Sequence, residues 1–148
     1  MMDLSATGEA LIKHFEGYRN ATYLDQGGVP TIGWGHTGWY APGVPVALGQ
    51  TCTMDQAEAW FKADTAWAVA AVNNLITQPM TQDQFDALVD FTYDCGSGAL
   101  AHSTVRRDFN AGLTLAAANA LLEWDYAGPV LSAGLEARRE AERTLFLS

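Results

Sequence analysis

The stretch Phe15-Glu16-Gly17-Tyr18, followed by Tyr23-Leu24-Asp25 and Pro30-Thr31-Ile32-Gly33-Trp34-Gly35-His36, decides how the chain is read. Leu11, Ile12 and Phe15 fall at helical spacing just before it, and Gly17 follows as a stop, so a short helix is predicted from about Ser5 to Phe15. Beyond Tyr18 the chain changes character. Gly27, Gly28, Pro30, Gly33 and Gly35 punctuate β-formers, and Tyr23-Leu24, Val29 and Thr31-Ile32 read as short strands around a Gly27-Gly28 turn. Glycine-rich backbone contributes little core, so this segment serves to present side chains. Residues 37 to 50, with Pro42, Gly43, Pro45 and Gly49, read as a loop.

The remainder is helical in pattern. Thr53-Met54-Asp55-Gln56 has the form of a capping box, and Trp60, Phe61, Ala68, Val72 and Leu75 recur on one side of a long helix ending near Thr77. Thr81-Gln82-Asp83-Gln84 repeats the box and opens a helix with Phe85, Leu88, Val89 and Thr92 as its inward face. Further helices are predicted from about Ala99 to Asn110, Thr114 to Trp124 and Leu135 to Phe146. The fold class is α+β with segregated elements: a small β-hairpin lobe over about 18–50, and a helical lobe over about 53–148 joined by the N-terminal helix. One domain with a cleft between its lobes is expected, and such clefts hold ligands.

The composition bounds the function. The chain has 148 residues, 49% hydrophobic and 17% charged, enough for a full core. Its net charge of −9 disfavours nucleic acid as a partner, since phosphate binding needs clustered Lys and Arg. Arg106 and Arg107, with Arg138, Arg139 and Arg143, are the candidates for a positive patch. Cys52 and Cys95 show no metal-ligand spacing and read as buried thiols rather than a disulfide. Met1 to Gly8 has no apolar run, so no signal peptide or membrane anchor is expected, and the protein is placed in the cytoplasm.

Glu16 stands beside Phe15 and Tyr18, where apolar neighbours favour a protonated carboxyl, while Asp25 lies in a polar turn that favours the ionised form. Carboxyls in contrasting environments suit glycoside hydrolysis, with one as acid and the other as base or nucleophile. Thr31 can bond a water beside Asp25. On spacing alone the plainer reading is favoured, with Glu16 as a helix-terminal surface charge and Asp25 as a turn former.

Glu16-Gly17, Asp25 and Thr31-Ile32-Gly33-Trp34-Gly35-His36 together resemble the signature of glycoside hydrolase family 24, the phage lysozymes. Ala87-Leu88-Val89-Asp90-Phe91-Thr92-Tyr93 with Gly96 is similar to that family's central helix, and Gly134-Leu135-Glu136-Ala137-Arg138-Arg139 to its C-terminal motif. The resemblance implies an endo-acting muramidase that cleaves the β-1,4 bond between N-acetylmuramic acid and N-acetylglucosamine of peptidoglycan. Glu16 would protonate the glycosidic oxygen, Asp25 and Thr31 would place the water, and no metal or organic cofactor is implied. A monomer is expected, held in the host cytoplasm until it reaches the cell wall.

Asp94 stands where the family usually has Asn and is a candidate for substrate contact. Trp34 and Trp39 are candidates for stacking on sugars or for core packing. His36 is assigned to holding the β segment, and Arg139 to an ion pair with Glu16. The rival readings are a lytic transglycosylase, which needs no water, and an inactive peptidoglycan-binding module.

Overall fold

The computed structural model describes all residues from Met1 to Ser148. In chain order the elements are α1 (Ala6–Glu16), β1 (Arg19–Leu24), β2 (Pro30–Gly33), β3 (Trp39–Ala41), β4 (Val44–Pro45), α2 (Met54–Leu75), α3 (Gln82–Cys95), α4 (Ser97–His102), α5 (Thr104–Asn110), α6 (Thr114–Leu121), β5 (Tyr126–Ala127), β6 (Val130–Leu131) and α7 (Ala133–Phe146). This is the α+β class expected from the sequence. The chain divides into two compact units, Ile12–Ala66 and Met1–Leu11 with Trp67–Ser148.

The Ile12–Ala66 unit carries the sequence signature. β1 and β2 pair antiparallel, with Tyr23 opposite Thr31 and Leu24 opposite Pro30, and the register shifts between Arg19 and Tyr23. The segment read as a loop over residues 37–50 contains a second hairpin, in which Trp39 pairs with Pro45 and Ala41 with Val44. Its Pro42-Gly43 turn needs a positive φ, which Gly43 supplies at 75°. Strands this short have no periodicity to read, which is why sequence pattern missed them. Ile12, Ile32, Val46, Ala57 and Phe61 form the buried apolar core of this unit. The predicted capping box at Thr53 is present: Gln56 N donates to Thr53 Oγ1 at 3.2 Å, and Thr53 N donates to Gln56 Oε1 at 2.9 Å.

The other unit is built around α3. Thr81 and Gln84 form the second predicted capping box. Every residue from Phe85 to Thr92 is buried, so α3 is enclosed on all sides rather than amphipathic. Asp86 and Asp90 are therefore buried too, each with partners distant in sequence. Asp86 accepts from Ser5 N at 3.1 Å and from the Ser5 hydroxyl, while Asp90 takes Arg138. α4 and α7 pack on α3, and the unit also buries Leu100, Val105, Leu121 and the edge-to-face pairs Phe109–Phe146 (5.0 Å) and Phe91–Trp124 (5.5 Å).

The helix predicted from Ala99 to Asn110 is two helices, broken at Ser103. That residue is extended (φ −77°, ψ 152°), its hydroxyl donates to Leu100 O at 2.8 Å, and it accepts from Arg106 N at 3.0 Å. A hydroxyl that serves both ends favours the break over continuous helix. The Gly128-Pro129 turn likewise joins β5 to β6, a hairpin absent from the sequence reading. Ser103→Ala removes both bonds and is expected to lower the unfolding free energy by about 1 kcal/mol, measured by urea denaturation followed by circular dichroism.

Candidate active site

Glu16 is the last residue of α1, half-buried, between half-buried Phe15 and the exposed Gly17-Tyr18 bend. Its carboxyl lies hard against Gly35. A Cβ built on Gly35 would stand 2.9 Å from Glu16 Oε2, and Gly35 holds a φ of 74°. The backbone conformation favours glycine, and a side chain here would push the Glu16 carboxyl aside. Sequence reading treated Gly35 as punctuation and missed this role.

Asp25 sits in the β1–β2 turn, exposed. Its Oδ1 accepts from Gly27 N and Val29 N, both at 2.8 Å. Asp25 is thus the turn former of the plainer reading, through one oxygen. Thr31, buried on β2, donates its hydroxyl to Val29 O at 2.9 Å. The proton of Thr31 is committed, so its oxygen can only accept from anything placed beside it.

His36 is buried and fully bonded. Its Nδ1 meets Asp64 Oδ2 at 2.7 Å, its Nε2 meets Trp39 O at 2.8 Å, and its ring stacks on Trp60 at 4.6 Å and 5°. Asp64 escaped the sequence reading, and Trp60 was read only as part of the helix's inward side, although their i,i+4 spacing places them on one face of α2. Trp34 is half-buried and packed: it lies 4.9 Å from Tyr18 and 6.0 Å from Phe61, with Lys13 Nζ 4.3 Å over its ring. Lys13 is held there by Glu58 at 2.8 Å. Trp39, by contrast, is 63% exposed and lines a shallow depression of about 440 Å³ with Tyr40, Pro42 and Trp60.

Asp94 and Arg139 meet in the α3-centred unit. Arg139 is fully buried, and instead of the expected Glu16 its Nη2 bonds Asp94 at 2.8 Å and Glu142 at 2.6 Å, while Nη1 reaches Cys95 Sγ at 2.8 Å. Burial pushes the Cys95 thiol up to about 11, against the pull of Arg139 and with a push from Asp94 and Glu142. Both cysteines are free and half-buried rather than buried. The expected positive patch is corrected as well. Arg138 and Arg139 point inward, and Arg106 bonds the carbonyls of Leu75 and Ala101. Arg107 is exposed but paired with Asp108. No three His, Cys, Asp or Glu side chains are grouped to hold a metal ion, and no helix is long and apolar enough to cross a membrane.

One compact unit thus carries a half-buried carboxyl at a helix end together with an aspartate and a threonine on a glycine-rich hairpin. A sequence model of the phage lysozyme family matches residues 13–142. The endolysin of Salmonella phage P22 is 41% identical over 148 residues, covering all of both chains. Among solved structures, an endolysin from Escherichia coli O157:H7 phage FAHEc1 superposes with a TM-score of 0.92 at 41% identity, covering 99% of this chain and 94% of that one. The muramidase domain of SpmX from Asticaccaulis excentricus superposes at 0.87 with 38% identity, covering 100% of this chain and 99% of that one. The chain belongs to the phage lysozyme family and is a glycoside hydrolase.

Gly35→Ala is expected to cost about 1–2 kcal/mol of backbone strain and to displace the Glu16 carboxyl. Wall-clearing activity should fall by at least about tenfold, the equivalent of about 1.4 kcal/mol in the barrier, in protein that still gives a folded circular dichroism spectrum.

Proposed function

We propose that Glu16 is the general acid of this peptidoglycan muramidase and that Asp25 and Thr31 hold the attacking water. The substrate class follows from the family: the enzyme acts on the bacterial cell wall. The observation that carries the residue assignment is the bonding of the β1–β2 hairpin. Asp25 uses Oδ1 for the turn and keeps Oδ2 for another donor, and Thr31 has already given its proton to Val29 O. A water donating one proton to each acceptor turns its lone pair outward, as a nucleophile must.

In the reaction, Glu16 gives its proton to the oxygen leaving N-acetylmuramic acid. The water adds to the anomeric carbon, and Asp25 takes the proton that the water loses. One water is consumed, and a reducing N-acetylmuramic acid end and a free hydroxyl are formed. Attack from the face opposite the leaving group inverts the anomeric configuration.

The other candidates divide by their surroundings. His36 supports the hairpin through Asp64 and the Trp39 carbonyl. Arg139 holds Asp94, whose partly exposed carboxylate remains a candidate for substrate contact. Trp39, with its exposed ring, is the aromatic open to a sugar face, whereas the ring of Trp34 is covered by Lys13. We take the chain as a single lysozyme-like domain that works as a monomer, uses no cofactor, binds neither nucleic acid nor membrane, and stays in the host cytoplasm until release. A lytic transglycosylase would close the sugar on its own hydroxyl and leave the Asp25–Thr31 pair without a task.

Glu16→Gln should clear permeabilised bacteria at least about 100-fold more slowly than the parent. Parent products should carry reducing ends. Equal clearing by both proteins would remove Glu16 from the mechanism, and anhydro ends would move the assignment to a transglycosylase. Trp39→Ala should weaken binding to intact walls about fivefold, the loss of roughly 1 kcal/mol of stacking, with kcat kept. A pelleting assay on purified walls checks this.

A further inference from the structure

Three carboxyls and two guanidiniums meet where α7 packs on α3. Arg138 donates to Asp90 from Nε at 3.1 Å and from Nη2 at 2.8 Å, and its Nη1 lies 3.4 Å from Asp94. Arg139 Nη2 joins Glu142 to Asp94. Asp90 and Glu142 are fully buried. Glu142 Oε1 is occupied by Arg139, while Oε2 is shut off from solvent and accepts no hydrogen bond. Asp90 is its acidic neighbour and acts on its titration both through hydrogen bonding and through charge.

Two ionised carboxylates cannot bond each other, because both only accept. They bond well when one carries a proton. Counting charge leads to the same place: with all three acids ionised, one buried negative charge would lack a guanidinium of its own, a costly arrangement.

We propose that Glu142 is protonated in the folded protein and shares that proton with Asp90, so that a single proton completes the junction between α7 and α3 and makes it sensitive to pH. Burial first, and then the neighbouring Asp90, hold the Glu142 carboxyl well above the usual carboxylate range, against the pull of Arg139. Of the groups beside Glu142, Arg139 is the cation, and its charge is shared with Asp94. Asp94 is already paired with Arg139, and Cys95 remains a neutral thiol at neutral pH. α6, which also packs on α7, carries no titratable side chain, and the Tyr126 phenol on β5 is exposed.

The sign of the pH effect follows. Below the unfolded carboxyl's titration, near about pH 4.3, both states hold the proton and the stabilisation is complete. At higher pH the unfolded chain has lost the proton while the folded chain keeps it. The unfolding constant then rises about tenfold per pH unit, until the folded protein also titrates and the contribution is gone. The grip of the C-terminal helix weakens as pH rises, and with it the setting of Asp94.

The test is urea unfolding of the parent and of Glu142→Gln over roughly pH 4 to 9, with infrared spectra of both at neutral pH. The variant's amide is neutral at every pH and can donate to Asp90 in place of the shared proton. The expected result is that the parent's unfolding constant climbs relative to the variant's by up to about tenfold per pH unit above about pH 5. The parent should also show the band of a buried protonated carboxyl that the variant lacks. Parallel pH profiles would overturn the proposal. So would the absence of that band from the parent at neutral pH, a readout that stands even if the variant fails to fold.

Discussion

A hairpin of a few glycine-punctuated residues cannot hold its own shape in water, because short strand pairs gain too little from pairing to offset their ordering. The unit that carries Glu16, Asp25 and Thr31 is built from two such hairpins, and His36 ties them to α2. Its ring takes Asp64 on one nitrogen and the Trp39 carbonyl on the other, with Trp60 beneath it. Asp64 and Trp60 come from α2, while Trp39 opens the β3–β4 hairpin. One side chain therefore anchors the end of the signature segment to helix and hairpin together. Gly35 then passes so close to the Glu16 carboxyl that a side chain there would displace it.

The second unit relies on the same device with charge in place of an imidazole. α3 is sealed on all sides, yet it carries Asp86 and Asp90. Each is matched by a distant segment: Asp86 by the chain entering α1, and Asp90 by Arg138 of α7. Buried ionic groups add less net stability than their short distances suggest, since desolvation opposes the attraction, but they penalise wrong partners heavily. Apolar packing such as Phe91 on Trp124 supplies the bulk of the cohesion here, and the acids favour one arrangement of α1 and α7 over others.

The long elements were legible in the sequence because they rest on local physics. Both capping boxes, the span of α2 and the β1–β2 turn follow from caps, periodicity and glycine. What escaped depends on partners far along the chain. The β3–β4 and β5–β6 hairpins are too short to show alternation. The break at Ser103 looks like ordinary helix until its hydroxyl is seen to serve both ends. Asp86 and Asp90 pass for the polar face of an amphipathic helix until Ser5 and Arg138 are known to reach them. Likewise, residue types alone left Glu16 and Asp25 with bland alternatives. The resemblance of three ordered motifs separated those readings, and the surroundings of Arg138 and Arg139 became visible only in three dimensions.

The division of labour within Asp25 bears on how such a chain changes over generations. One oxygen closes the turn, and the other takes no part in it. Folding alone would therefore retain an aspartate here, even in a descendant that no longer cuts anything. On the proposed roles, a lineage drifting from enzyme to binding module would lose Glu16 before it lost Asp25. The persistence of the aspartate in a distant relative is a record of shape, and the fate of the glutamate is a record of use.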